Sequence, residues 1–284
     1  MVRVSPSVTR MPQPILRSAQ DDAAPRAAFL VWTDPLPHPG WLNMAIDTVL
    51  LERAEAGERW LRLYAWDPPC LSFGRHEPAP RRYDMDHIET LGLAVVRRPT
   101  GGRAVWHARE LTYAVAVPIA TLGSLQESYR EIHLLLRDAL RSLGAAAELA
   151  PARRPDPVDA GACFASPAGG EVMVAGRKVV GSAQLRQGTA LLQHGSVLLD
   201  GDQSTVAAVS RGAAPADLSA PLSQVLGRPV GWTEAADAIA AAVEARWGLS
   251  SARAHTPDAI LERAMAHAGR FRSTGWTWQG TSPG

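Results

Sequence analysis

The sequence predicts a mixed α/β fold whose sheets are largely antiparallel. Two observations lead to this prediction. Short apolar runs between residues 171 and 199 are separated by Ala175-Gly176 and Gln187-Gly188, a pattern typical of hairpins. Apolar residues recur at helical spacing within 40–55 and 125–143. Because strands and helices do not alternate one by one, a doubly wound parallel sheet is not expected.

The first half of the chain is predicted to contain most of the strands. Residues 1–27 are polar and without period, so they are expected to form a disordered leader. A helix is predicted from Gly40 to Glu55, and Thr100-Gly101-Gly102 is predicted to be a turn between two strands. The strands are predicted at 27–34, 60–66, 70–74, 93–96 and 111–117.

The second half is predicted to be a helix, a hairpin region and two closing helices. The helical stripe over 125–143 is followed by Gly144 as a cap, and residues 145–160 are predicted to be a loop. A three-strand meander is expected at 171–174, 177–186 and 189–199. The last two helices are predicted from Thr233 to before Gly248, and from the N-cap Thr256 to Gly269. We therefore expect a main domain over 28–230 and a small helical C-terminal subdomain over 231–284.

Composition excludes several classes of protein. The chain has 284 residues, of which 46% are hydrophobic and 20% charged, so it can bury a sizeable core. Its 29 basic and 28 acidic residues leave a net charge of +1, which argues against nucleic-acid and membrane-surface partners. The longest apolar runs fall well short of the roughly 20 residues that span a bilayer.

Cysteine usage indicates a reducing compartment. Two cysteines, Cys70 and Cys163, exclude a disulfide framework and a cysteine-cage zinc site. The N-terminus lacks the apolar stretch of a signal peptide, so the expected location is cytoplasmic. The histidines show no metal-ligand spacing, and no metal site is predicted.

One residue is unusual because its type occurs only once in the chain. Of the 29 basic residues, 28 are Arg and the only Lys is Lys178. A chain with this bias would keep a Lys where a compact ammonium is needed and a planar guanidinium cannot replace it. The alternative is chance survival under a codon bias that favours Arg.

Two segments could form a site. In RRPTGGRAVWH (97–107), adjacent glycines allow close approach of a ligand to the backbone, although an ordinary glycine turn would look the same. In GRKVVGSAQLR (176–186), alternation places Lys178, Val180, Ser182 and Gln184 on one strand face. That polar face is either solvent-facing or the wall of a site.

The two cysteines and one histidine admit two interpretations each. Cys163 lies in a Gly/Ala/Ser/Pro-rich segment, so it is a candidate nucleophile as well as a small buried residue. Cys70, at a strand start, is predicted to be structural. His194, in LLQHGS, is either a buried structural histidine or a base.

Together, NMAID (43–47), LRLYAWDPPCLSFGR (61–75), RRPTGGRAVWH, ELTYAVAVP (110–118) and GRKVVGSAQLRQGTALLQHGSVLLD (176–200) resemble the lipoate–protein ligase, octanoyltransferase and biotin–protein ligase superfamily. ACFASP followed by GRKVVGSAQ is most similar to the Cys-dependent octanoyltransferase branch. The resemblance covers about 28–230 and implies that this region is the catalytic domain. It departs at Arg103, which replaces a third glycine, and at Ala108-Arg109, where the family often has Asp after His.

The resemblance implies octanoyl transfer from acyl carrier protein, through a Cys163 thioester, to a lysine of a lipoyl-accepting protein. Such acceptors include the glycine cleavage H protein and the lipoyl domains of 2-oxoacid dehydrogenases. Cys163 and Lys178 are the expected catalytic residues, and no cofactor is expected. The implied substrate-binding residues are Arg97, Thr100, Gly101, Gly102, Arg103, Val105, His107, Gly181, Ser182, Ala183, Gln184 and His194.

Two further roles are predicted for residues near these segments. An apolar tunnel for the eight-carbon chain is expected at Val105, Val180 and Ala183. Docking of the acidic donor and acceptor proteins is expected on a rim of arginines at 75, 81, 82, 97, 98 and 103.

Three alternatives stay open. An ATP-dependent lipoate or octanoate ligase would form an acyl-adenylate and need no cysteine. An amidotransferase would move octanoyl between two lipoyl-accepting proteins by the same acyl-Cys163 chemistry. A non-catalytic acyl-binding module would need neither Cys163 nor Lys178.

Overall fold

A six-stranded sheet forms the centre of the protein, as seen in a computed structural model that describes residues 29–151, 170–212, 219–247, 252–253 and 258–281. The strands are β1 (Leu30–Thr33), β2 (Trp60–Tyr64), β3 (Cys70–Phe73), β4 (Ala94–Arg97), β5 (Val105–His107), β6 (Glu110–Pro118), β7 (Ala147–Leu149), β8 (Val172–Val174), β9 (Arg177–Lys178), β10 (Val180–Gln187), β11 (Ala190–Leu198) and β12 (Ala252–Arg253). The helices are α1 (Gly40–Glu55), α2 (Ala79–Arg82), α3 (Met85–Thr90), α4 (Ile119–Leu122), α5 (Leu125–Ser142), α6 (Ser204–Ala208), α7 (Leu222–Leu226), α8 (Trp232–Trp247) and α9 (Asp258–Arg272), followed by a short π-helix (Gly275–Gln279).

The central sheet has the order β10-β11-β6-β2-β1-β12. The pairs from β10 to β2 are antiparallel, whereas β1 runs parallel to both β2 and β12. A second sheet has the order β4-β3-β5, and a third has the order β7-β8-β9. This arrangement confirms the predicted mixed α/β fold with largely antiparallel sheets.

Two hydrophobic cores lie on opposite faces of the central sheet. Because side chains alternate along a strand, Tyr113 and Val115 enter the core beneath α5 and α8, whereas Ala114 and Ala116 enter the core beneath α1 and α9. Strands buried on both faces explain the almost continuous apolar sequence of β6.

The start of α5 shows how local sequence sets an element. The Ser124 side chain accepts a hydrogen bond from the Glu127 backbone N–H, and the Glu127 carboxylate accepts one from the Ser124 N–H, which is a capping box. Apolar residues at helical spacing then bury one face of α5 against the central sheet. The predicted helices at α1, α5 and α8 are confirmed, the first of them residue for residue.

The predicted meander over 171–199 is wrong in its connectivity. The chain leaves the third sheet at Lys178, whose carbonyl accepts from the Ala220 N–H, and enters the central sheet at Val180. Between them, the Val179 N–H donates to the Val172 carbonyl while the Val179 carbonyl accepts from Leu198. One predicted strand is therefore two short strands in two sheets.

Two further sequence predictions need correction. Residues 147–149, expected to be loop, form β7 because they pair with β8. Gly269 lies inside α9, which continues to Arg272, so it does not end the helix. The predicted leader 1–27, the segment 152–160 and the N-cap Thr256 lie outside the described residues.

The last described residues are held by one buried arginine on β4. The Arg97 guanidinium donates to the Trp276, Thr277 and Trp278 carbonyls of the π-helix, and also to carbonyls of the loop 74–77. The Trp276 indole N–H in turn donates to the Arg97 carbonyl at 2.9 Å. Residues 276–278 are thereby fixed against the second sheet.

The two long C-terminal helices contribute to different cores. Helix α8 packs against α5, and α9 packs against α1 on the other side of the central sheet. The predicted boundary at residue 231 stays a prediction, and the described residues of both helices share their cores with the rest of the chain. Within the described ranges, no helix is both long and apolar enough to span a bilayer.

Two glycine-to-alanine substitutions are expected to have opposite effects on stability. Gly269→Ala should raise the free energy of unfolding by about 0.5–1 kcal/mol, because the residue lies in an exposed stretch of helix where a Cβ meets nothing within 4 Å. Gly195→Ala should lower it by about 1–3 kcal/mol, because a Cβ there would lie against the Gly181 carbonyl and 2.9 Å from the Tyr113 ring. Urea denaturation followed by circular dichroism measures both; equal shifts would contradict the packing described for β11.

Candidate active site

A small cavity of about 20 Å³, enough for about one water molecule, lies between the central sheet and the second sheet. Its walls come from α1, the end of β2, and strands β5, β6, β10 and β11. The lining residues are Met44, Tyr64, Trp66, Arg98, Val105, His107, Thr112, Gly181, Ser182, Ala183, His194, Gly195 and Ser196.

One wall of the cavity is organised by the buried carboxylate of Asp47 in α1. Asp47 Oδ2 accepts from the Tyr64 hydroxyl at 2.9 Å and lies 2.8 Å from His194 Nδ1. The other imidazole nitrogen, Nε2, lies 2.7 Å from the Thr100 hydroxyl. Asp47 and Thr100 are fully buried, so this linkage connects helix α1 to the turn after β4 without water.

A second carboxylate–imidazole–hydroxyl linkage borders the cavity. Glu110 Oε1 lies 2.7 Å from His107 Nδ1, and His107 Nε2 lies 2.6 Å from the Ser72 hydroxyl. The His107 ring stacks on Trp66 with 4.0 Å between centroids. Burial lowers the pKa of His107 below its ordinary value, although the Glu110 charge opposes this shift. The imidazole is therefore neutral near pH 7.

Residues 100–103, here called the glycine loop, are gripped by Arg98. Its Nη2 donates to the Gly101 carbonyl at 3.2 Å and the Arg103 carbonyl at 2.8 Å. Gly102 has φ = +94°, which favours glycine, and a Cβ at Gly74 would collide with the Gly102 carbonyl. The tight packing requires glycine at both positions.

Lys178 lies in a different polar network, on the α5 side of the central sheet. Its ammonium is buried and donates to Glu171 Oε1 at 2.6 Å. Nearby, His133 bridges the Gly170 carbonyl at 2.7 Å and the Ser182 hydroxyl at 2.8 Å. Burial, reinforced by the Lys178 charge, lowers the pKa of His133 to about 4. His133 is therefore neutral near pH 7, next to the ion pair between Lys178 and Glu171.

The structure brings many of the predicted substrate-binding residues together. Val105, His107, Gly181, Ser182, Ala183 and His194 line the cavity, and Thr100 bonds to His194. Gly102 is adjacent, since its Cβ position lies 3.9 Å from the Ala183 Cβ. Gly101 and Arg103 are held in the glycine loop. Their roles toward a substrate stay predictions.

Other predicted residues lie elsewhere. The rim prediction is wrong for Arg97 and Arg98, because both are buried and donate to backbone carbonyls. The tunnel prediction is wrong for Val180, which packs in the α5-side core. Gln184 donates to Gln193 and to the Leu125 carbonyl, away from the cavity. Cys163 lies outside the described residues.

Sequence reasoning missed the two carboxylates that organise the cavity, Asp47 and Glu110. Asp47 lies in the mostly apolar stretch 44–51 of α1, and Glu110 begins the mostly apolar strand β6, so a charge beside apolar residues was the available signal. It also missed Met44, Tyr64, Trp66, Thr112, Gly195 and Ser196 as lining residues. Among the described residues, no group of three or more His, Cys, Asp or Glu side chains could hold a metal ion.

Comparison with known proteins agrees with this architecture. The profile of the family described as lipoyl protein ligase A/B catalytic domain matches residues 39–244. A relative named octanoyltransferase LipM, from Symbiobacterium thermophilum, is 40% identical over 248 residues, covering 81% of this chain and 89% of that protein.

Solved structures with the same fold are more distant in sequence. A lipoate–protein ligase A bound with ATP has a TM-score of 0.74 at 20% identity, covering 89% of this chain and 98% of that one. A bipartite lipoate–protein ligase from Thermoplasma acidophilum, described with its E2 lipoyl domain, has a TM-score of 0.73 at 17% identity, covering 91% and 99%. At these identities the likeness shows the fold alone.

The buried His133 predicts a specific pH dependence of stability. The unfolded chain binds a proton at this histidine near pH 6.5, whereas the folded protein does so only near pH 4. Acid therefore favours unfolding between pH 6.5 and pH 4. As the pH falls through this range, His133 should lower the free energy of unfolding of the wild type by up to about 3 kcal/mol. His133→Gln should lack this part of the slope in urea titrations at stepped pH. The exposed His87→Gln serves as control, and parallel curves for wild type and His133→Gln would contradict the prediction.

Proposed function

Since the chain belongs to the lipoyl protein ligase A/B catalytic domain family, we propose that it is an octanoyltransferase of lipoate biosynthesis that takes its acyl group from octanoyl-acyl carrier protein. The acyl group passes through a thioester on Cys163 to the lysine of a lipoyl-accepting protein. The name of the relative from Symbiobacterium thermophilum supports octanoyl transfer. The donor, the thioester and the cytoplasmic location are the parts that experiments must test.

The observation that carries the proposal is the cavity beside the glycine loop. Its apolar walls, including Met44, Val105 and Ala183, suit a hydrocarbon chain, which must part these walls to enter because the space as it stands admits about one water molecule. The polar lining is held by bonds within the protein. Burying each methylene of an acyl chain is favourable by about 0.8 kcal/mol. The Gly102 backbone lies at the edge of this space. The carbonyl group of a bound acyl chain would therefore lie close to backbone polar groups of the glycine loop.

The reaction consists of two acyl transfers. The Cys163 thiolate attacks the thioester carbonyl of the donor; a new carbon–sulfur bond forms, the donor's carbon–sulfur bond breaks, and the proton lost by Cys163 ends on the carrier thiol. The neutral lysine amine of the acceptor then attacks acyl-Cys163. An amide bond forms, the Cys163 sulfur leaves, and the amine proton ends on that sulfur. No ATP and no net proton are consumed.

Lys178 is the group best suited to stabilise negative charge in these steps. Its buried ammonium bonds to Glu171, and Cys163 precedes Gly170 by seven residues, a stretch that reaches at most about 25 Å. A nearby cation favours both the thiolate and a tetrahedral oxyanion. The neutral state of His133 leaves Lys178 as the cation that this network offers.

Cys70 does not fit the role of nucleophile. Its side chain is buried against α1, and burial, together with the Glu110 charge, raises the pKa of its thiol. A buried, protonated thiol does not attack a thioester. This leaves Cys163 as the candidate and provides a matched control.

The docking surface for the acidic donor and acceptor proteins is proposed at the exposed part of the predicted rim. Arg81 is exposed on α2, and Arg75 is half-buried beside the glycine loop, where its N–H donates to the Thr100 carbonyl. Opposite charges on the two partners would speed their encounter. The acceptor is proposed to be a lipoyl-domain protein, in line with the E2 lipoyl domain described for the Thermoplasma ligase.

Incubation with octanoyl-acyl carrier protein should add one octanoyl group to Cys163. Intact-mass spectrometry should show the adduct in the wild type and in Cys70→Ala, and should not show it in Cys163→Ala. Hydroxylamine should remove the adduct because it cleaves thioesters. Wild-type turnover by Cys163→Ala would contradict the nucleophile assignment.

The same assay separates the alternative functions. A ligase would release pyrophosphate from ATP and octanoate and form an octanoyl-adenylate without acyl-Cys163. An amidotransferase would be loaded by an octanoylated lipoyl domain but not by octanoyl-acyl carrier protein. Either result would replace the proposed donor.

Lys178→Arg should slow formation of acyl-Cys163 by roughly 100-fold or more, the size of effect seen when one oxyanion donor is removed. The reason is geometric, since a planar guanidinium cannot occupy the buried position of the ammonium beside Glu171. Arg186→Lys, the reverse exchange at an exposed site of β10, should leave the rate unchanged. Melting curves check that both variants fold, and a near-normal rate in a folded Lys178→Arg would remove Lys178 from the mechanism.

A further inference from the structure

Four side chains between the cavity and the second sheet form a continuous hydrogen-bonded relay. Glu110 bonds to His107, His107 bonds to Ser72, and the Ser72 hydroxyl accepts from Arg98 Nη1. All four residues are buried. Arg98 then donates from Nη2 to two carbonyls of the glycine loop.

The two ends of this relay, together with the neutral imidazole of His107, determine the direction of every bond between them. An ionised carboxylate only accepts hydrogen bonds, and a guanidinium only donates them. The proton facing Glu110 must therefore lie on His107 Nδ1. Because His107 is neutral, its Nε2 carries a lone pair, and the Ser72 hydroxyl must donate to it. The Ser72 oxygen is then left to accept from Arg98.

The other hydrogen bonds of Glu110 also identify its carboxylate as an acceptor. The Trp66 indole N–H only donates, and it donates to the Thr112 hydroxyl at 2.7 Å, so Thr112 must donate its own proton to Glu110 Oε1. The Ser196 hydroxyl also donates to Oε1 at 2.9 Å. Three donors therefore converge on this one oxygen, which acts only as an acceptor.

We propose that Glu110 and Ser72 are positioning residues that fix the glycine loop at the cavity through His107 and Arg98. Glu110 orders His107 as the Nδ1–H tautomer, and the resulting orientation of the Ser72 hydroxyl holds the Arg98 guanidinium. Arg98 in turn holds the Gly101 and Arg103 carbonyls and so sets the direction of the loop's peptide groups. This inference deepens the proposed function and rests on it for its kinetic consequence.

The glycine loop depends on hydrogen bonds for its position. Two of its four residues are glycines without side chains, and a Cβ added to Gly101 would meet nothing within 4 Å. A loop of this kind is positioned by its hydrogen bonds. A displacement of 1 Å near reacting atoms can cost about 100-fold in rate.

The tautomer is tested directly on the wild-type protein. In ¹⁵N-histidine-labelled protein, two-bond ¹H–¹⁵N correlation should show His107 protonated at Nδ1 and unprotonated at Nε2 near pH 7, with the signal assigned by its loss in His107→Gln. Protonation at Nε2 would overturn the proposal. This result does not depend on octanoyl transfer, so it stands or falls separately from the proposed function.

The kinetic test uses two variants and a matched control. Ser72→Ala removes the link between His107 and Arg98 and should slow single-turnover acylation of Cys163 about 10- to 100-fold at saturating donor, with the KM for octanoyl-acyl carrier protein within twofold. Ser128→Ala, a buried serine in α5 that bonds only to backbone carbonyls of its own helix segment in the bonds described, should keep the wild-type rate. Equal rates in folded Ser72→Ala and Ser128→Ala would overturn the proposal.

The variant Glu110→Gln removes the charge of this side chain and keeps its shape, so it tests the role of the charge alone. Glu110 Oε2 has no hydrogen-bond partner among the described residues, so an amide nitrogen can replace it without breaking a bond. The amide oxygen that takes the place of Oε1 still only accepts, so His107 should keep its proton on Nδ1. The uncharged oxygen is a weaker acceptor and holds that orientation less strongly, so acylation should slow about 10-fold. A wild-type acylation rate in folded Glu110→Gln would overturn the role of the Glu110 charge. Absence of acyl-Cys163 in the wild type would refute the proposed function and leave the tautomer result standing.

Discussion

Two buried carboxylates, Asp47 and Glu110, impose the constraint on which the rest of the site depends. A buried charge is costly unless donors surround it, so each carboxylate requires a set of partners in fixed places. Asp47 obtains them from Tyr64 on β2 and His194 on β11, which ties α1 to two strands of the central sheet. Glu110 obtains its partners from β5, β6 and β11. The cavity lies where these two sets of bonds meet.

The two faces of the central sheet carry different kinds of buried charged groups. On the cavity side, both carboxylates are matched to imidazoles and hydroxyls, and the space they border has largely apolar walls. On the other side, a buried ammonium faces a buried carboxylate at Lys178 and Glu171, with the neutral His133 beside them. An uncharged acyl chain and a reacting carbonyl have opposite requirements, since one favours a dry pocket and the other a nearby cation. Ser182 borders both groups, since it lines the cavity and bonds to His133.

The sequence predicted what depends on neighbouring residues and failed where distant parts of the chain decide. Helix α1 was predicted residue for residue because its apolar spacing is local, and the mixed fold class followed from the order of such elements. The break at Val179 depends on bonds to Val172, Leu198 and, one residue earlier, Ala220, which no period in the strand reveals. Arginine was interpreted as a surface cation, so the burial of Arg97 was missed. The glycine loop and His194 were chosen correctly as neighbours, whereas their substrate roles stay predictions.

Arg97 bonds to two parts of the chain that the ribosome makes at different times, so its set of acceptors is complete only late in synthesis. Half of the carbonyls that surround its guanidinium belong to residues 74–77, and the other half belong to residues 276–278. While the ribosome is still making the C-terminal helices, the second sheet therefore contains a cation that lacks half of its acceptors. The glycine loop begins three residues after Arg97, and its own bonds to Arg98 involve only residues that are made much earlier than residue 276. A product released before residue 276 would carry every residue of the cavity wall and still lack the contacts that close the structure around them.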